Sequence, residues 1–170
     1  MRKIILFFVT LALALATEHT VNNAKSTIDF QITKMLFIDV EGTFEHFEGS
    51  IIVSHDKLIS VNGIIATNSI KTDSDDRDNS LKDEGFFNTT EHASILFRST
   101  KIEDTKLHAE VTIKGVTQSL AFKIVSFSTN PTGTRLELSS DVNRQDFGLA
   151  GMMSFAINDI AHVTTMLVAE

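Results

Sequence analysis

From residue 28 onward, apolar side chains recur at every second position in short runs parted by brief turns. Ile28, Phe30 and Ile32 alternate with Asp29 and Gln31, and the same beat returns at Val40, Gly42 and Phe44, and at Ile59, Val61, Gly63 and Ile65. It continues at Leu107, Ala109, Val111 and Ile113, at Leu120, Phe122 and Ile124, at Leu136 and Leu138, and in a closing run from Val163 to Val168. A period of two is that of a strand with one buried face. Turn residues separate the runs at His55–Lys57, Glu103–Thr105, Lys114–Gly115 and Asn130–Gly133. Phe47 changes phase ahead of Gly49, which predicts a bulge or corner there. With the two arms either side of Gly49 taken as one bent strand, the pattern predicts about eight strands, mostly antiparallel because the links are too short for crossover helices. Bent strands and glycines inside strands favour a closed barrel over a sandwich, since closure removes exposed edges.

One stretch departs from this beat. Ser69–Phe97, SIKTDSDDRDNSLKDEGFFNTTEHASILF, carries Asp73, Asp75, Asp76 and Asp78, which cannot share a buried sheet face without partners. Leu81, Phe86 and Phe87 follow directly behind them. An acidic outside and an oily inside predict a short helical flap over one end of the barrel, with Phe86 and Phe87 turned to whatever the barrel holds.

The amino terminus reads as an export signal. Arg2 and Lys3 precede an apolar run from Ile4 to Val9, and Ala12, Ala14 and Ala16 stand in A-x-A spacing, so residues 1–16 are expected to be cleaved and 17–170 to form one domain. The apolar run falls short of the ~20 residues that span a bilayer. Without the signal, 13 Lys and Arg stand against 22 Asp and Glu, a net charge of −9 that argues against nucleic acid and anionic membrane surfaces. There is no cysteine, so the core must hold the fold without disulfides. Of 13 phenylalanines two fall in the signal, and the chain has neither Trp nor Tyr. The remaining rings offer apolar area with no polar handle, for a core or for the wall of a cavity.

Signals for chemistry are weak. Asp73, Asp75 and Glu84 fall at the first, third and twelfth positions of a calcium loop, but Arg77 stands at the fifth and Asp78 at the sixth, where a ligand and a glycine belong. The six histidines form no metal-binding pattern, and neither a nucleophile elbow nor a phosphate-binding loop is present. In NRQDFG, Asn143–Gly148, an extended strand would put Arg144 and Asp146 on one face as a pair, with Phe147 on the other. Arg144 there either joins strands to close the barrel or, with Asn143, faces the polar head of a ligand.

Taken together, these motifs resemble the YceI family of periplasmic polyisoprenoid-binding, lipocalin-like proteins. The resemblance runs from about Thr20 to Ala169 and rests on ordered motifs: VEGTF with FEG at Val40–Gly49, SIKT at Ser69–Thr72, RDNSLKDEGFF at Arg77–Phe87, ILFRS at Ile95–Ser99, VTIKGVT at Val111–Thr117, NRQDFG, and VTTMLVA at Val163–Ala169. Lys25–Ser26 stands where the family usually has His-Ser, and Ala93 where it often has proline. The resemblance implies an all-β, eight-stranded antiparallel lipocalin-like barrel with a helical flap, often a homodimer, that holds an isoprenoid quinone, a polyprenyl phosphate or a fatty-acid derivative in its interior.

The expected function is that of a non-enzymatic periplasmic carrier of a long-chain amphiphile, with no cofactor besides that ligand. Each buried methylene contributes ~0.8 kcal/mol and association costs roughly 4–15 kcal/mol, so only tails beyond about ten carbons reach useful affinity. The expected wall residues are Phe30, Ile32, Val40, Phe44, Ile65, Phe97, Val111, Phe122 and Leu138, with Phe86 and Phe87 at the mouth and Arg144, Asn143 and Lys25 toward the head group. The rival expectations are an enzyme acting on such a lipid, which needs titratable groups converging at the cavity, and a stress-response interaction protein with a solidly packed barrel.

Overall fold

The alternating runs fold as strands. The computed structural model describes residues 16–151 and 154–170. It contains β1 (Thr17–Thr20), β2 (Thr27–Lys34), β3 (Ile38–Phe44), β4 (Phe47–Ser54), β5 (Lys57–Ala66), β6 (Ile70–Thr72), β7 (Ser94–Ile102), β8 (Lys106–Ile113), β9 (Val116–Asn130), β10 (Gly133–Asn143) and β11 (Ile157–Ala169), with one helix, α1 (Asp75–Lys82). The export signal read at residues 1–16 lies, apart from Ala16, outside the described residues.

These eleven strands form one curled antiparallel sheet in the order β1-β4-β5-β7-β8-β9-β10-β11-β2-β3-β6. The expected count of eight returns when three broken strands are followed through their breaks. A 3-10 turn at Asn23–Lys25 joins β1 to β2, Glu45 and His46 join β3 to β4, and a 3-10 turn at Thr67–Ser69 joins β5 to β6. The first three members of the sheet and its last three are therefore halves of the same long strands, so the sheet rolls back onto itself. Thr20 and Glu170 exchange backbone hydrogen bonds of 2.9 Å in each direction, and Val21 bridges Ala169, tying the first strand to the last.

Local chemistry accounts for the sharp points of this roll. Two-residue hairpin turns at His55–Asp56 and Lys114–Gly115 have positive φ at both positions, the turn geometry that matches strand twist. The expected corner lies three to four residues ahead of Gly49, at Glu45–His46, where the His46 N–H donates to the Ser69 hydroxyl (3.1 Å). Two residues outside the strand reset the phase, which is why Phe44 and Phe47 are both buried. Gly42 is required because the Phe30 ring lies over it: a Cβ there would stand 2.3 Å from the ring.

The flap is anchored by one buried carboxylate. The Ser74 side chain caps α1, accepting from the Arg77 N–H, and the acids in the first turn suit the positive end of the helix. Asp78 is only 3% exposed and accepts from the Thr72 N–H (2.7 Å) and hydroxyl (2.6 Å), while Lys71 ion-pairs with it at 2.9 Å. Burial pushes the Asp78 carboxyl up, but the bonds from Lys71 and Thr72 outweigh it and hold the carboxyl at about 2. Asp75 and then Asp78, by their hydrogen bonds, keep the Lys71 ammonium above its ordinary range.

Candidate ligand-binding cavity

Inside the roll lies a cavity of about 130 Å³, or about 890 Å³ when all the empty space out through its open mouth is counted. Its wall comes from the inward positions of the alternating runs and is almost wholly apolar; Glu48, Asn62 and Thr165 are the polar residues that border it. Aliphatic chains and phenylalanines without polar handles give an interior with no direction for hydrogen bonding, suited to an alkyl or isoprenoid tail.

Paired glycines keep part of this space open. Gly49 of β4 stands opposite Gly63 of β5, and both border the cavity. A Cβ on Gly63 would meet nothing nearer than the Glu48 carbonyl at 3.4 Å, so at that position the missing side chain leaves room. On Gly49 a Cβ would stand 2.6 Å from the Asn62 carbonyl, so glycine is demanded there by the close approach of backbone.

At one end the hollow stops against a stack of rings. Phe44 borders the cavity and meets Phe87 edge to face, with centroids 5.8 Å apart, and Phe30 on its other side at 6.0 Å. Phe87, delivered by the segment after α1, is buried. The flap thus works as a stopper.

The expected site residues divide into three groups. Phe44, Ile65, Phe97, Val111, Phe122 and Leu138 border the cavity, with Phe97 and Phe122 edge to face at 5.2 Å. Phe30 and Phe87 form the stopper. Phe86 lies on Gly151, where a Cβ would stand 2.0 Å from its ring, instead of beside Phe87. Ile32 and Val40 pair with each other on β2 and β3, nearer the hairpin than the Phe30–Gly42 pair, and neither borders the cavity.

The polar candidates have other partners. Asn143–Gly148 is not an extended strand: β10 ends at Asn143 and Arg144–Phe147 form a 3-10 turn, so Arg144 and Phe147 are both buried. Arg144 pairs with Asp159 (2.9 Å) instead of Asp146, and donates to the carbonyls of Asn158 (2.9 Å), Leu149 (2.6 Å) and Ile157 (3.0 Å), which joins the turn to the start of β11. The Asn143 side chain caps the turn, accepting from the Gln145 N–H (3.0 Å). Lys25 pairs with the Glu170 carboxylate on the surface; its hydrogen bond there, with that from Asn22, holds the carboxyl below the usual range. Among the described residues no three His, Asp or Glu side chains converge as a metal ion needs.

The wall also contains residues the site prediction omits, among them Ile28, Phe47, Val61, Ile95, Val142 and Val163. Ile28 and Val61 stand in alternating runs already visible in the sequence, so their phase was the available signal. Among the described residues, no helix is long and apolar enough to cross a membrane.

Comparison with known proteins agrees with this architecture. UPF0312 protein SAB2563 of Staphylococcus aureus (strain bovine RF122 / ET3-1) is 29% identical over 141 residues, covering 78% of this chain and 82% of the relative. The crystal structure of Burkholderia cenocepacia BcnA matches with a TM-score of 0.80 at 19% identity, over 88% of this chain and 99% of that one. A polyisoprenoid binding domain from Saccharophagus degradans matches with a TM-score of 0.72 at 16% identity, over 89% and 97%. Both structures share the fold. Residues 19–169 match the family model described as YceI-like domain, and the chain belongs to that family.

Proposed function

We propose that this protein is a non-enzymatic, exported binding protein of the periplasm that carries or sequesters a long-chain amphiphile, its tail held in the cavity. The observation that carries this reading is the apolar hollow itself, left open beside Gly63 and closed at one end by Phe44 and Phe87. A solidly packed interaction protein would have filled that space. An enzyme acting on the tail would need ionisable groups on the wall, and among the described residues the only one bordering it is the exposed Glu48. The Saccharophagus degradans domain, described as polyisoprenoid binding, supports the same ligand class: an isoprenoid quinone, a polyprenyl phosphate or a fatty-acid derivative.

Native mass spectrometry of protein purified from its own host tests this. The expected result is an adduct that survives gentle ionisation and, on denaturation, releases a molecule with more than about ten apolar carbons. A bare protein mass, with no uptake of quinone, polyprenyl phosphate or fatty amide, would contradict the reading.

A further inference from the structure

The wall of the roll is split between β9 and β10. Their ladder runs from Gly133–Asn130 to Ser139–Lys123 and stops there, although both strands continue. Beyond that point residues 119–122 pair with β8 and residues 140–143 with β11. The Ser140 hydroxyl, donating to the Ala121 carbonyl (3.0 Å), ties the edges near the top of the split, and Gln118 donates to the Asp146 carbonyl (3.0 Å) below it. Four residues on each edge are unpaired with the other strand, a stretch roughly 13 Å long at ~3.3 Å per residue that the Ser140–Ala121 bond crosses. Inside, Leu120, Phe122, Leu138 and Val142 flank it, and all four border the cavity.

Over the outer side of this split lies a depression of about 640 Å³, counting the open space above it. Phe122, itself buried, borders both hollows. Lys106 and Lys123 line the depression and are direct cross-strand partners on β8 and β9. Like charges placed so are destabilising, and neither lysine has an ion-pair partner among the described residues. Such a pair on a chain of net charge −7 concentrates positive potential at one spot. Ser139 adds a hydroxyl, and Asp141, the one acid lining the depression among the described residues, is engaged by His162 at 2.8 Å.

We propose that this depression binds the anionic head group, a phosphate or carboxylate, of the amphiphile whose tail occupies the cavity, with Lys106 and Lys123 as its cationic partners. The proposal rests on the reading of the cavity as a tail site. An oxyanion between the two ammonium groups relieves their repulsion and gains two charge-assisted hydrogen bonds, while the tail passes inward beside Phe122.

Isothermal titration with dodecyl phosphate, 1-dodecanol and inorganic phosphate tests it, with melting curves as a check of folding. Wild type is expected to bind dodecyl phosphate at least about tenfold more tightly than dodecanol. Lys106→Ala/Lys123→Ala is expected to lose that margin and leave dodecanol unchanged, whereas Lys57→Ala/Lys82→Ala, which removes the same charge elsewhere, keeps it. A margin that survives in the Lys106/Lys123 variant overturns the head-group site and leaves the tail site standing. Inorganic phosphate bound through these lysines as tightly as dodecyl phosphate also overturns it, because the site then serves a free anion. Failure of wild type to bind either dodecyl compound removes the tail site, and the proposal with it.

Discussion

The stoppered end of the roll and its hollow middle are built from the same alternating strands, yet one is packed and the other is not. At the closed end Phe30, Phe44 and Phe87 fill the bore, and the buried groups Asp78 and Arg144 fasten the segments around it. In the middle the inward positions of β4 and β5 include the facing glycines 49 and 63. Strand periodicity sets which side chains face inward; their size decides whether they meet. The flap end is thus packed shut, while the middle keeps room for a ligand although much of its wall, Val61, Val111 and Leu138 among it, is buried core.

That division can be broken from the fastened end first. Arg144→Ala removes a buried cation with carbonyl partners at Asn158, Leu149 and Ile157 and a charge partner at Asp159, and leaves the buried Leu149 carbonyl unsatisfied. A loss of about 3–5 kcal/mol is expected in denaturant unfolding. A loss under about 1 kcal/mol would mean that the Arg144 bonds do not fasten the turn to β11. Phe87→Ala takes one ring from the stopper, and about 3 kcal/mol of destabilisation is expected by the same method. Because the stopper then opens, a dye taken up by apolar cavities should enter from the flap end; unchanged uptake would place the barrier elsewhere.

Acid titration sharpens the same contrast. The Asp78 carboxyl lies at about 2 folded against 3.8 ordinarily, so the unfolded chain binds more protons in between and stability rises with pH across that window. Its contribution is complete above about pH 4 and is lost as pH falls toward 2. Asp78→Asn should lower stability at pH 7 and flatten this part of the profile. A variant whose acid profile keeps the wild-type slope would show that other carboxylates carry it.

Much of the architecture was legible because it is local. Alternation marks the strands from Ile28 to Val168, and the turn residues at His55 and Lys114 mark the hairpins. The phase change at Phe47 betrays the corner, although its position at Glu45–His46 depends on a bond from the His46 N–H to the distant Ser69. Depth along the bore was not legible: Ile32 and Val40 lie in alternating runs like Phe44, and only the assembled stack of rings ends the hollow between them. Arg144 was misplaced because a 3-10 turn, not a strand, carries it. The split between β9 and β10 is a matter of long-range pairing, which no local pattern announces.

The smallest change to stability should bring the clearest change in binding. Gly63 has no positive φ and a Cβ there would meet only the Glu48 carbonyl, at 3.4 Å, so Gly63→Leu puts a side chain into the cavity with a stability change of about 1 kcal/mol or less. Titration of wild type and this variant with a long-chain amphiphile such as dodecyl phosphate, at matched folding, measures the central claim directly. Binding weakened at least about tenfold in the variant is the expected result, and equal binding by the two proteins would contradict an interior tail site.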